Sequence, residues 1–89
     1  RNVKGYILVP GGYGTLDELF ETLTLVATDI RDKTPIILIG VSFWQGLIDW
    51  IKTSLLKEKF INDKELDLIY LTDNVEDAVK FISSAQNLD

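Results

Sequence analysis

Three glycines and a proline precede a threonine and a glutamate in the stretch LVPGGYGTLDELFE, residues 8–21. Without a Cβ, the backbone at Gly11, Gly12 and Gly14 can adopt positive φ and lets a ligand approach closely. If a helix starts here, its first amides have no helical partner and its positive dipole end favours a phosphate. The stretch therefore predicts either a phosphate-binding loop or a turn that needs glycine only for its geometry.

Thr15 and Glu18 have the T-x-x-E spacing of a capping box, in which the two side chains bond to each other's amides at a helix start. The same glutamate is also a candidate for chemistry. The chain contains no histidine and no cysteine, which excludes Ser-His-Asp, Cys-His and thiolate-metal sites built from this chain alone. Proton transfer would fall to Asp, Glu, Lys or Tyr, so capping and catalysis are two open roles for Glu18.

The net charge of the chain bears on whether it binds nucleic acids or membranes. Nine basic and fourteen acidic side chains among 89 residues give a formal net charge of −5. This sign disfavours surfaces that follow nucleic-acid backbones or anionic membranes, so we expect neither partner. No apolar stretch approaches the roughly 20 residues of a membrane helix, and the start resembles no signal peptide. We expect a cytoplasmic protein without metal or cofactor, in which a local site holds any phosphate.

Hydrophobic patterning predicts the strands and helices that position these residues. Continuous apolar runs, typical of strands buried on both faces, occur at 5–9, 35–40 and 66–72. Each run is followed by apolar residues at helical spacing. The first helix is predicted to start at Thr15, and Asp73 or Asn74 can cap the third. On the second helix, we expect Trp44 and Trp50 to be core or interface residues rather than base-stacking platforms.

The order β-α-β-α-β-α predicts an α/β fold with a parallel sheet. Three strands make half of an ordinary doubly wound sheet. We therefore expect residues 1–89 to be a single partial domain, the C-terminal half of a Rossmann-like doubly wound sheet. The remaining strands are expected on the N-terminal side.

The string PGGYGTLDE resembles the PGGxGTxxE signature of the LOG (Lonely Guy) family. These are cytokinin riboside 5'-monophosphate phosphoribohydrolases, often described as lysine decarboxylase-like. Pro10, the three glycines, Thr15 and Glu18 all match the signature. The similarity continues through DELFETLTLVATD, PIILIG, FWQGLIDWI and LDLIYLTD, and so spans nearly the whole chain.

The resemblance implies hydrolysis of the N-glycosidic bond of a nucleoside 5'-monophosphate. The substrate would be AMP or an N6-prenylated AMP, and the products the base and ribose 5-phosphate. The resemblance also implies that Glu18 is the catalytic carboxylate. Tyr13 would line the ribose pocket and Thr24 would contact the base, although an exposed loop aromatic and a helix-surface threonine are the alternatives. The expected substrate-binding residues are Gly11, Gly12, Tyr13, Gly14, Thr15 and Thr24.

One departure from the family bears on activity. Family members carry an Arg-Lys pair on a helix before the motif strand, and this arginine works with the motif glutamate. Arg1 matches a later basic position on that helix, so we expect the pair to precede residue 1 and the isolated chain to be inactive. The parent protein is expected to be a homodimer or larger. A nucleotide-binding or carrier module without turnover is the alternative function, and a purely structural fragment is the third.

Overall fold

A computed structural model of the protein describes residues 5–28 and 33–87, so Arg1 lies outside the described residues. The strands are β1 (Tyr6–Leu8), β2 (Ile36–Ile39) and β3 (Ile69–Thr72). The helices are α1 (Tyr13–Thr28), α2 (Val41–Trp50), α3 (Asp63–Leu66) and α4 (Val75–Asn87). A six-residue π-helical segment, Ile51–Leu56, directly follows α2.

The three strands form one parallel sheet in the order β1-β2-β3. Tyr6 pairs with Ile36, and Ile36 pairs with Ile69. Because successive strand residues point to opposite faces, Ile36 and Leu38 point towards α1 and α2, while Ile37 points to the face on which α4 packs. The predicted α/β fold with a parallel, partial Rossmann-like sheet is confirmed.

The main core lies between one face of the sheet and the helices α1 and α2 with the π segment. Trp44 is completely buried there, and its indole N–H donates to the Ile39 carbonyl at 3.1 Å, so its polar atom is satisfied. Trp50, in contrast, is 53% exposed. The buried cluster consists of Leu8, Leu19, Val26, Ile36, Leu38, Trp44, Ile48 and Ile51.

The third apolar run does not form a strand over its full predicted length. Leu66 belongs to the short helix α3, and β3 begins only at Ile69. The amides of Asp67 and Leu68 still donate to the carbonyls of Lys64 and Glu65. The prediction that the strand starts at residue 66 was therefore wrong, because the turn that closes α3 extends into the apolar run.

Candidate functional site

The glycine loop lies at the carboxyl end of β1, the edge at which open α/β sheets bind ligands. The carbonyl of Gly12 accepts from the Leu16 amide at 3.1 Å, so α1 starts at Tyr13. The predicted start at Thr15 was wrong. The capping box between Thr15 and Glu18 is also absent, because Thr15 is already the third residue of the helix.

The first amides of α1 have no hydrogen-bond acceptor within the described part of the chain. Tyr13, Gly14 and Thr15 precede the first amide that can bond within the helix, and neither a side chain nor a loop carbonyl caps them there. The helix is 16 residues long and its positive end faces this loop. The arrangement can bind an anion through backbone N–H groups.

The three loop glycines differ in their surroundings, and none of them adopts a positive φ. A Cβ at Gly11 would collide with the Thr15 hydroxyl, so close packing against α1 requires glycine there. Cβ atoms at Gly12 and Gly14 would meet nothing within 4 Å. The open space at these two residues, rather than an unusual φ, gives a ligand access to the backbone.

The helices that follow β2 and β3 start with a side-chain acceptor. Asn74 Oδ1 accepts from the amides of Glu76 and Asp77 at 2.8 and 3.3 Å and so caps α4. Asp73 Oδ1 accepts from the Val41 amide at the start of α2, at 2.8 Å. The sequence left open which of the two residues caps α4. It gave no signal for the contact of Asp73 with α2, whose partners are 32 residues apart.

Glu18 is exposed on α1, about one turn beyond the first amides of the helix. Its carboxylate forms no hydrogen bond or ion pair with any residue that the structure describes. Successive residues of an α-helix are rotated by about 100° about its axis, so Glu18 and Leu25 lie on the same flank of α1. Phe20 and Thr24 lie on a different flank, which faces α3 and the π segment. The flank that carries Glu18 is therefore not the flank that faces α3 and the π segment.

The remaining predicted site residues do not all lie together. Tyr13 is 92% exposed and stands at the helix start beside the glycines. Thr24 lies roughly 13 Å further along the helix axis than Thr15, and its hydroxyl donates to the Phe20 carbonyl at 2.7 Å. The structure thus brings together the loop, Tyr13 and Thr15, with Glu18 nearby, and places Thr24 apart from them.

Thr24 lines an apolar cavity of about 150 Å³ between α1, the π segment and α3. Sequence periodicity did not reveal this cavity, because its walls come from three separate elements. Its lining residues are Phe20, Leu23, Thr24, Ala27, Ile51, Leu55, Ile61, Glu65 and Leu66.

Within residues 5–28 and 33–87, no group of three or more Asp or Glu side chains is arranged to hold a metal ion. None of the helices in the same ranges combines the length and the apolar character needed to cross a membrane.

Comparison with known proteins identifies the family. A protein-family model described as "Possible lysine decarboxylase" matches residues 1–82. The chain belongs to this family. A cytokinin riboside 5'-monophosphate phosphoribohydrolase of Mycobacterium tuberculosis is 32% identical over 75 residues, which are 84% of this chain and 40% of that protein. The similarity to the LOG family that the motif predicted is therefore confirmed.

Two more relatives of this LOG-family chain show how much of a full-length protein it represents. A cytokinin riboside 5'-monophosphate phosphoribohydrolase of Arabidopsis thaliana is 33% identical over 81 residues, 90% of this chain and 37% of the relative. A bifunctional cytokinin biosynthesis protein of Fusarium pseudograminearum is 33% identical over 77 residues, 86% of this chain and 16% of the relative. The chain spans 40% or less of the length of these three relatives.

Proposed function

We propose that the protein to which this chain belongs hydrolyses the N-glycosidic bond of a nucleoside 5'-monophosphate, either AMP or an N6-prenylated AMP. The bond between C1' of the ribose and the base nitrogen breaks, and water supplies the hydroxyl of ribose 5-phosphate and the proton of the released base. The relatives that carry this activity in their names support the proposal. The observation that carries it is the uncapped start of α1 at the carboxyl edge of the sheet.

The substrate 5'-phosphate is proposed to bind at the start of α1. The amides of Tyr13, Gly14 and Thr15 would donate to its oxygens, and the Thr15 hydroxyl adds a further donor. The open space at Gly12 and Gly14 allows the phosphate to contact the backbone directly. Because the chain is acidic overall, the attraction must come from these local groups rather than from net charge.

Glu18 is proposed as the catalytic carboxylate. When the glycosidic bond breaks, C1' acquires oxocarbenium character, and a nearby carboxylate stabilises that charge, holds a ribose hydroxyl or orients the attacking water. Glu18 lies four residues beyond Gly14, about 6 Å along the helix axis. A phosphate at the helix start and a ribose beside Glu18 are therefore compatible in position. Tyr13 would contact the ribose. Thr24 is retained as a proposed base contact, which requires the base to reach along α1 and across to a different flank from that of Glu18.

Binding of a nucleotide without turnover is the second candidate function. It is favoured by the unpaired state of Glu18, whose carboxylate has no basic partner within residues 5–28 and 33–87. We propose that turnover needs a basic group from outside these ranges, so that residues 1–89 alone, as a single partial domain, do not turn over substrate. We also propose a homodimer or larger assembly that acts in the cytoplasm, without a cofactor and without nucleic-acid or membrane partners.

The proposal is tested by incubating the full-length protein with AMP and, separately, with N6-isopentenyl-AMP. Chromatography measures the released base and ribose 5-phosphate, while calorimetry measures binding of the same nucleotides. Equal amounts of the two products support the hydrolase. Nucleotide binding without product supports the second candidate, and the absence of both binding and product contradicts the two proposals together.

A further inference from the structure

Three consecutive residues at the end of β3 contact three different partners. The Thr72 carbonyl accepts from the Gly40 amide at 3.0 Å. The Asp73 carboxylate accepts from the Val41 amide at 2.8 Å, whereas Asn74 caps the helix that follows it. Thr72 and Asp73 thus hold the turn between β2 and α2. Among the described residues, the Asn74 side chain bonds only amides of its own helix, while the Asn74 amide donates to the Thr72 hydroxyl at 3.0 Å.

Gly40, in the turn that Thr72 and Asp73 hold, packs directly on the glycine loop. Its φ is +106°, in the region that favours glycine. A Cβ at Gly40 would lie 3.0 Å from Cγ and 3.5 Å from Cδ of Pro10. The backbone of the second turn is therefore in contact with the proline ring that starts the phosphate loop.

The position of Pro10 constrains the backbone of the glycine loop, because the proline ring fixes φ of this residue near −65°. The next residue, Gly11, packs so closely on Thr15 that no Cβ fits between them. A displacement of Pro10 would therefore move Gly11 against the first turn of α1. Asp73 is thus connected to the amides that would bind phosphate by a series of contacts through Val41, Gly40 and Pro10.

We infer that Asp73 is a positioning residue for the proposed phosphate site. It acts at a distance by fixing the turn between β2 and α2 against Pro10, and it does not touch the substrate. This inference rests on the proposed function of the glycine loop. A role limited to capping α2 would also affect stability, but it would not alter the geometry of the loop after β1.

The first test measures loop geometry and does not depend on catalysis. In ¹H–¹⁵N spectra of the full chain, Asp73→Ala is expected to shift the signals of Gly11, Gly12 and Gly14. Asp73→Asn keeps an oxygen that can accept from the Val41 amide and should restore them. Asn74→Ala is the matched control, because it removes a side-chain oxygen that bonds the amides of Glu76 and Asp77, while the backbone bond from the Asn74 amide to the Thr72 hydroxyl stays in place. Unshifted glycine signals in Asp73→Ala, or equal shifts in Asn74→Ala, overturn the inference.

The second test measures affinity for inorganic phosphate by calorimetry and the kinetics of AMP hydrolysis. We expect about tenfold weaker phosphate binding in Asp73→Ala, since small misplacements of a binding group are costly. KM for AMP should rise accordingly while kcat changes little. Asp73→Asn should recover most of the affinity, and Asn74→Ala should resemble the wild type. Asp73→Glu keeps the charge but displaces the oxygen, so it should weaken binding if position matters.

The two proposals can fail separately. If the wild-type protein releases no base, the hydrolase proposal fails, while the glycine signals and phosphate affinity still decide the role of Asp73. If Asp73→Asn binds phosphate as weakly as Asp73→Ala and the glycine signals stay in place, the loss of affinity does not pass through the geometry of the loop and the positioning role is wrong.

Discussion

The helix starts that follow β1 and β3 differ in where their amides find acceptors. After β3, Asn74 binds the amides of Glu76 and Asp77 with its side-chain oxygen. After β1, glycines offer no such oxygen, and the first amides of α1 have no partner within the described residues. A capped helix start is satisfied internally and has little left for a ligand. An uncapped helix start is less stable, but its N–H donors stay available to a ligand. The presence or absence of a side-chain cap therefore distinguishes a helix start that can bind an anion from one that serves the fold alone.

The largest effect is expected from Glu18→Ala, which removes the proposed chemistry from the uncapped turn and leaves its donors intact. Base release from AMP should fall by a factor on the order of 10² to 10⁴. The free energy of unfolding should change little, because the side chain is exposed and makes no contact that the fold needs. Glu21→Ala, which removes another exposed acid of α1, is the control. Undiminished base release in Glu18→Ala would exclude the carboxylate from catalysis.

The turn after β2 should tolerate a side chain poorly. Gly40→Ala is expected to lower the free energy of unfolding by about 1–3 kcal/mol, because it combines a positive φ with close contact to Pro10. Gly46→Ala, within the helix α2 that follows this turn, is the matched control. A Cβ at Gly46 meets nothing within 4 Å, so alanine should stabilise the protein by about 0.5–1 kcal/mol. Urea denaturation measures both values, and equal effects would show that the contact with Pro10 is not tight.

Asn74→Ala removes the side-chain cap of α4, so that the start of this helix resembles the uncapped start of α1. It should cost about 1 kcal/mol of unfolding free energy, the usual effect of losing a side-chain cap. Asn74→Asp keeps an acceptor and should retain most of the stability. Urea denaturation of the three proteins checks this order, and an unchanged midpoint in the alanine variant would show that the two hydrogen bonds contribute nothing net.

The converse exchange, Gly12→Asn, gives α1 the cap that it lacks. Stability should rise by only a few tenths of a kcal/mol, because glycine is itself tolerated at a helix start. Phosphate affinity should fall, since the new oxygen competes for the same amides. Gly12→Ala adds a methyl group without an acceptor and controls for bulk. Phosphate binding equal to wild type in Gly12→Asn would mean that the anion does not use these amides.

The sequence was sufficient to predict those features that depend on residues close together along the chain. The continuous apolar runs around Ile7 and Ile37 predicted the parallel strands β1 and β2. The expected burial on both faces is found in β2 but was wrong for β1, where Ile7 is 47% exposed. Glycine spacing placed the loop at the carboxyl edge of the sheet for a similarly local reason. The position of Glu18 on α1, just past that loop, followed from the helical period.

Features set by tertiary packing could not be predicted in this way. The rotation of α2 buries Trp44 and leaves the adjacent Phe43 exposed, which the spacing of apolar residues alone does not decide. The bond between Asp73 and Val41 joins residues on different elements, and no periodicity records it. The start of α1 at Tyr13 depends on the Gly12 carbonyl, which the side-chain pattern does not reveal.

The parallel register also has a kinetic consequence. Tyr6 pairs with Ile36, thirty positions later, and Ile36 pairs with Ile69, thirty-three positions later. No two strands can therefore meet until the chain has closed a loop that contains a helix, and such distant contacts slow folding. During synthesis, Gly40 can contact Pro10 only after β2 has emerged, so the glycine loop cannot make all of its contacts as soon as it has been synthesised.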